Sequence, residues 1–385
     1  MNKLSELINK LCPNGVEYKP LEKCCNILDN MRKPITKSAR EKGNYPYYGA
    51  NGIQDYVSNY IFDGKFILVG EDGSVINRNG NPIVTWAEGK IWVNNHAHII
   101  EEIEGIQLRY LYYYIQTINV ANLIHGNIPK LNQGDFRKLR IAVPPMEVQC
   151  EIIRILDKFT ELEAELEAEL ENRKKQYEYY RDKLLNFDET GNHCDCTHTH
   201  THTHGYFYKQ EIKWITISDI LIIKNGKDYK HLSDGNYPVY GTGGIITYVN
   251  SFVYDKPSVL IPRKGSLNKV YYVEEPFWNV DTIYYTVINS KIVIPKYIYY
   301  ILSNMHLEKL NIAGGIPSLT QATLYKIKIP VPSLEVQEKL VNILNKFDKI
   351  INGISEGLPA EIEARQQQYE YYRDKILTFK ELENE

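Results

Sequence analysis

The sequence predicts an α+β protein built twice over: two similar globular units, each followed by a long helical region, with the helical regions paired inside one chain. Three observations carry this. The seven residues Tyr177-Glu-Tyr-Tyr-Arg-Asp-Lys183 return unchanged as Tyr369-Glu-Tyr-Tyr-Arg-Asp-Lys375, 192 positions later. At the same spacing, Gly43-Asn-Tyr-Pro-Tyr-Tyr-Gly49 is answered by Gly235-Asn-Tyr-Pro-Val-Tyr-Gly241. Each helical region also opens on Pro-x-x-Glu-Val-Gln, at Pro144 and at Pro332. Duplication supplies a partner helix within the chain, so intramolecular pairing replaces homodimerisation as the expectation.

Taken in order, Leu4, Leu7, Ile8 and Leu11 have helical spacing for a short amphipathic helix over 3–11, stopped by Pro13-Asn-Gly15. The rest of the first unit (1–145) reads as short β runs between Gly and Asn, among them Phe66–Val69, Pro82–Thr85 and Lys90–Val93. Residues 106–118 are dense and long enough for a buried helix. Over 146–187 the heptad positions are Leu156, Glu163, Leu170, Tyr177 and Leu184, with Phe159, Leu166, Arg173, Tyr180 and Phe187 on the companion series. This is the pattern of a long helix packed on another, spanning roughly 57 Å at ~1.5 Å per residue. A His-rich linker (188–205) follows, then the second globular unit (206–332) and the second helical region (333–380). There Leu344 and Ile351, with Phe347, keep the register, which resumes at Ile362, Tyr369 and Ile376, with Tyr372. The four-residue stutter contains Gly353, Gly357 and Pro359, so two consecutive helices are expected, with Pro359 near the start of the second.

The bulk numbers exclude several classes. A formal charge of −3 gives no global positive field, and 31 tyrosines against 10 Phe and 4 Trp suit interfaces. Six cysteines, at 12, 24, 25, 150, 194 and 196, form no disulfide-like framework, which points to a reducing, cytoplasmic setting. The stretch Met1–Ile8 lacks the uninterrupted apolar segment of a secretory signal, and no apolar run approaches the ~18 residues that would span a membrane, so neither is expected.

No phosphate loop, dinucleotide fingerprint, nucleophile elbow or His-Glu-x-x-His is present, so no catalytic residue is assigned. The Thr-His tract with Cys194 and Cys196 could bind a metal, but alternating His on an extended chain makes a poor cage, and no metal site is assigned. Better candidates are polar loops. Arg263, Lys264, Ser266, Asn268 and Lys269 surround a glycine after an apolar run, a pattern that suits phosphate and base edges. Gly70–Asn81, the corresponding stretch of the first unit, is acidic at its start but holds Asn77, Arg78 and Asn79. Arg32, Lys33, Lys37 and Arg40 cluster before the Gly43 turn, and Lys227 and Lys230 precede Gly235. Trp92–His98 matches Phe277–Thr282 in position, and histidines there are expected to be structural. Two unlike units on a rigid spacer suit a duplex with two dissimilar half-sites, whose major-groove faces repeat every ~34–36 Å.

The Leu11-Cys-Pro-Asn-Gly-Val-Glu-Tyr18 opening, the Gly-Asn-Tyr-Pro-x-Tyr-Gly turns, the Pro-x-x-Glu-Val-Gln entries and the Tyr-Glu-Tyr-Tyr-Arg-Asp-Lys exits together resemble the specificity subunit of type I restriction–modification enzymes. The resemblance covers nearly the whole chain. It implies two target-recognition domains on a bipartite double-stranded DNA target. It also implies helical regions packed as an intramolecular antiparallel coiled coil that docks two methyltransferase subunits. Restriction/translocase subunits would complete the complex, and S-adenosylmethionine, ATP and Mg would belong to those partners, with no cofactor on this chain. A coiled-coil adaptor that binds proteins through its globular units is the alternative, and a self-sufficient enzyme ranks last.

Overall fold

The computed structural model describes residues 2–73, 75–187, 212–311, 317–353 and 357–382. The Thr-His linker with Cys194 and Cys196 lies outside the described residues, as do Ser74 and Gly314. The chain divides into two compact units, Met1–Glu167 with Glu361–Glu385, and Ala168–Ala360.

In the first unit α1 (Asn2–Leu11) leads into β1 (Glu17–Pro20), β2 (Asn26–Ile27), β3 (Lys42–Gly49), β4 (Gly52–Val57), β5 (Phe62–Gly70), β6 (Val84–Val93) and β7 (Ala97–Glu101). β2 to β7 form one sheet in the order β2-β7-β5-β6-β3-β4, antiparallel except for the β3–β6 pair. Phe66, Ile67, Leu68 and Val69 of β5 are all buried, as a strand covered on both faces requires. The sequence splits Pro82–Thr85 and Lys90–Val93 into two strands; the structure joins most of both in β6. The ladder from Phe62↔Ile91 to Val69↔Val84 is unbroken, and the turn-like Glu88-Gly89 lies within it between buried Ala87 and Ile91.

Next come α2 (Leu108–Ile115), β8 (Ile124–His125), β9 (Lys130–Leu131), α3 (Gln133–Arg137), β10 (Arg140–Val143) and α4 (Met146–Leu185). The second unit repeats the plan with β11 (Lys213–Thr216), α5 (Ile217–Ile220), β12 (Leu221–Asn225), β13 (Asp234–Gly241), β14 (Gly244–Val249), β15 (Ser258–Pro262), β16 (Tyr271–Val273), β17 (Trp278–Asn279) and β18 (Ile283–Ile288). Then follow α6 (Pro295–Asn304), α7 (Gln321–Tyr325), β19 (Lys328–Val331) and α8 (Leu334–Asn352). Here the sheet is divided in two, β12-β18-β15-β16 and β14-β13-β17, because the counterpart of the long β6 is two short strands.

Part of the tyrosine excess is spent in the cores. Tyr110 and Tyr297 are fully buried and donate to the carbonyls of Ala142 (2.8 Å) and Pro330 (2.9 Å). Tyr113 and Tyr300 reach the long helices α4 and α8, bonding Asp157 and Asn345. The Pro-x-x-Glu-Val-Gln entry has an equally definite job. The fully buried Gln337 accepts from the Ile294 N–H (2.8 Å) at the start of α6 and donates to the carbonyls of Pro332 (2.8 Å) and Ile292 (3.1 Å). Gln149 does the same for Gln107, Pro144 and Gly105. Neither helix has a side-chain cap from its own N-cap residue, so the glutamine supplies it. Gln337→Leu keeps the volume but leaves one buried donor and two acceptors unmet. It is expected to cost about 3 kcal/mol, measured by denaturant unfolding; a loss below about 0.5 kcal/mol would contradict this role.

After α8 the chain enters α9 (Leu358–Ile376), with Pro359 in its first turn, where a missing N–H costs nothing. Within the first unit Phe159 of α4 meets Tyr372 (5.9 Å) and Tyr369 (6.3 Å), and Glu163 accepts from Gln366 (2.6 Å), so α4 and α9 run antiparallel. Within the second, Tyr177 and Tyr180 meet Phe347 at 6.2 and 6.0 Å. Leu156, Leu344, Ile351 and Ile376 are buried, whereas Leu166, Leu170, Leu184 and Ile362 are half-buried. Tyr180 stays 37% exposed, stacked on Phe347 rather than enclosed as a core position would be. α9 ends against the first domain: Val16 exchanges backbone hydrogen bonds with Lys380 and Leu382 (2.9 Å each). Gly15 at φ +110° makes this approach possible, since a Cβ there would lie 2.6 Å from the Lys380 carbonyl.

Candidate nucleic-acid interface

Each domain holds one loop of cations on the same backbone frame. The Lys33 N–H donates to the Val93 carbonyl (3.3 Å), and the Lys227 N–H to that of Asn279 (2.8 Å). The indole of Trp92 donates to the Lys33 carbonyl (2.6 Å), and that of Trp278 to Lys227 (3.0 Å). Trp92 therefore corresponds to Trp278, not to Phe277 as the sequence match suggests. Pairing of Tyr47 with Trp92 and of Val239 with Trp278 fixes the register. No residue pattern singled out these indole ties; two lysines 194 positions apart were the only trace.

The second loop superposes as well. Gly73 and Gly265 donate to the carbonyls of Pro129 and Pro317 (3.0 Å each), while Leu131 and Leu319 donate to those of Glu71 (2.8 Å) and Arg263 (2.9 Å). Glu71-Asp72 thus stands where the second domain has Arg263-Lys264, a reversal of charge on one frame. In the second domain the Arg263 guanidinium donates to the Asp281 carbonyl (3.2 Å) and lies over the Tyr284 ring. Buried Leu267 anchors the loop, leaving Lys264, Ser266, Asn268 and Lys269 exposed, with Lys227 and Lys230 also exposed.

In the first domain three of the expected contact residues are engaged within the fold. Arg32 is only 10% exposed and works inside the fold, bonding Glu71 (2.6 Å) and the carbonyls of Ala97 (2.6 Å) and Asp29 (2.9 Å). Buried carboxylates there demand a cation. Arg40 is held by Asp55 (3.3 Å) and the Ile35 carbonyl (3.2 Å), over the Tyr47 ring. Asn77 spends its Oδ1 on the N–H groups of Asn79 (2.9 Å) and Asn81 (3.0 Å), closing its own turn. Lys33, Lys37, Arg78 and Asn79 remain exposed.

Asp29, Glu71 and His98 lie close enough to suggest a metal cluster. Their donors are already committed. His98 Nδ1 meets Asp29 (2.7 Å) and Nε2 the Leu131 carbonyl (2.9 Å), while Arg32 and Lys130 bring positive charge to Glu71. Burial pushes the Asp29 carboxyl up, but His98, the Ile99 N–H and Arg32 together hold it below the usual range. The second domain builds the same strut without charge: Tyr284 donates to Leu319 (3.2 Å), and Gln321 to Asn225 (3.2 Å) as Gln133 does to Asp29 (3.0 Å). In this arrangement the His98 ring links the segments that carry Asp29 and Leu131.

Residues 13–172 and 209–364 each match the family described as the type I restriction modification DNA specificity domain. The chain belongs to this family. Both copies of the specificity domain fall on the two repeats described above. A putative type I restriction enzyme specificity subunit of Haemophilus influenzae is 35% identical, covering 94% of this chain and 96% of its own. The specificity subunit of the EcoR124I/EcoR124II type I restriction enzyme of Escherichia coli is 33% identical over 71% of each chain. The crystal structure of a type I restriction–modification S subunit from M. genitalium shares the fold, with a TM-score of 0.58 at 18% identity over 94% of this chain and 96% of that one. Among the described residues no helix of this specificity-domain protein is long and apolar enough to cross a membrane.

Proposed function

We infer that this chain is the DNA sequence-specificity subunit of a type I restriction–modification complex, reading a bipartite duplex with one specificity domain per half-site. The observation that carries the reading is the pair of specificity domains, alike in backbone frame and different in the side chains they expose. Lys33, Lys37, Arg78 and Asn79 in the first domain, and Lys227, Lys230, Arg263, Lys264, Ser266, Asn268 and Lys269 in the second, are the proposed DNA contacts. Lysines and arginines hold phosphates, while the amides and hydroxyl can reach base edges.

The helices serve assembly and spacing. α4 is one continuous helix of 40 residues, about 60 Å long, and its exposed faces together with those of α8 and α9 would dock two methyltransferase subunits, with restriction/translocase subunits joining that core. S-adenosylmethionine, ATP and Mg belong to those partners in this reading, and the chain itself performs no catalysis. Its place is with the DNA in the cytoplasm. Co-purification with a methyltransferase subunit, followed by band shift against bipartite and scrambled duplexes, tests it. A complex without sequence preference would favour the protein-binding adaptor instead.

A further inference from the structure

On the shared frame of the two ribbons Gln54 stands where the second domain has Ile246, one of several differences that include Tyr47/Val239 and Asp55/Thr247. The β3–β4 and β13–β14 ribbons correspond residue by residue: Tyr45, Tyr48, Ile53 and Tyr56 match Tyr237, Tyr240, Ile245 and Tyr248, with the same register shifts. Behind each ribbon the next segment returns to it, the Asn94 N–H donating to the Tyr48 carbonyl and the Val280 N–H to that of Tyr240, both at 3.0 Å. Residue 54 or 246 then folds back over the ribbon glycine. A Cβ on Gly49 would lie 2.1 Å from Gln54 Nε2, and one on Gly241 would lie 2.8 Å from Ile246 Cδ1 and 3.5 Å from Val280 Cγ2.

In the first domain the side chain at this position meets residue 94, and in the second it shares the space over Gly241 with Val280. In the first domain the meeting is polar: Asn94, only 2% exposed, donates from Nδ2 to Gln54 Oε1 (3.3 Å), and Gln54 itself is exposed. In the second domain both side chains near the glycine are apolar, Ile246 at 52% exposure and Val280. Asn94 and Val280 sit one residue beyond Val93 and Asn279, the carbonyls that fix exposed Lys33 and Lys227. A cation that can hold a phosphate is thus beside these residues in each domain. A two-stranded ribbon fits the major groove, where an amide pairs with adenine N6/N7 and an aliphatic group packs on the thymine methyl.

We propose that residues 54 and 246 are equivalent specificity-determining positions, Gln54, oriented by Asn94, selecting adenine in one half-site and the exposed Ile246 selecting thymine in the other. This rests on the reading of the chain as a DNA-specificity subunit. The test is methylation of a duplex pool, randomised across both half-sites, by the chain assembled with methyltransferase subunits. Gln54→Ile is expected to reduce the preference for adenine at one base pair of one half-site by roughly tenfold or more, leaving the other half-site untouched as an internal control of folding. The near-isosteric Gln54→Glu should move that preference toward cytosine, and Ile246→Gln should relax thymine in the other half-site. If the wild-type complex selects a bipartite sequence and the variants select it unchanged, the assignment is wrong while DNA reading stands. If the wild-type complex selects no sequence, the functional reading itself fails.

Discussion

Replacing Arg263 and Lys264 together by alanine is expected to weaken DNA binding by the assembled complex and to flatten its dependence on salt. Each phosphate contact releases condensed counterions, so the slope of log K against log salt should fall by about one unit per lost contact. Two lost contacts would shallow it by roughly two units and cost roughly tenfold in affinity at moderate salt. The loss should be equal for cognate and scrambled duplexes, because these cations hold the backbone. Lys264 is exposed, and Arg263 is half-buried, with one carbonyl bond to Asp281 and its guanidinium over the Tyr284 ring, so unfolding of the variant is measured alongside. Binding isotherms over a salt series decide the matter, and an unchanged slope would take both residues off the phosphates.

The second large effect concerns spacing. Four residues inserted near Glu165 add one turn to α4, about 6 Å, roughly two base pairs of duplex. The expected product is a complex that recognises both original half-sites with a longer unread stretch between them. Glu165 is exposed, and the neighbouring heptad layer is already polar, with Glu163 bonded to Gln366, so the insertion enters the least apolar part of the pairing. Half-sites retained at the original spacing would remove the helix from that role.

Much of the fold was legible because a duplication can be read without any physics, and because the apolar heptad positions and Pro359 follow helix rules. What escaped were relations across the sequence. Arg32 reads as a free cation until Glu71, 39 residues away, is seen to claim it. Arg40 and Asn77 look equally free, yet one pairs with Asp55 and the other caps its own turn. Glu88-Gly89 has turn composition but sits in a strand, because β5 supplies a continuous ladder. The correspondence of Glu71-Asp72 with Arg263-Lys264 needed the backbone frame, since opposite charges share no sequence signal. Gln149 and Gln337 were visible as a motif, but their capping of the tyrosine helices was not.

On the proposed reading, two domains of one chain read two unlike half-sites. Mapping modified bases across the genome of a host that carries this chain with its methyltransferase tests it most directly. The expected result is a bipartite motif, two different short sequences separated by a fixed number of unspecified base pairs, with domain exchange replacing one half and sparing the other. A continuous motif, or methylation without a motif, would contradict it.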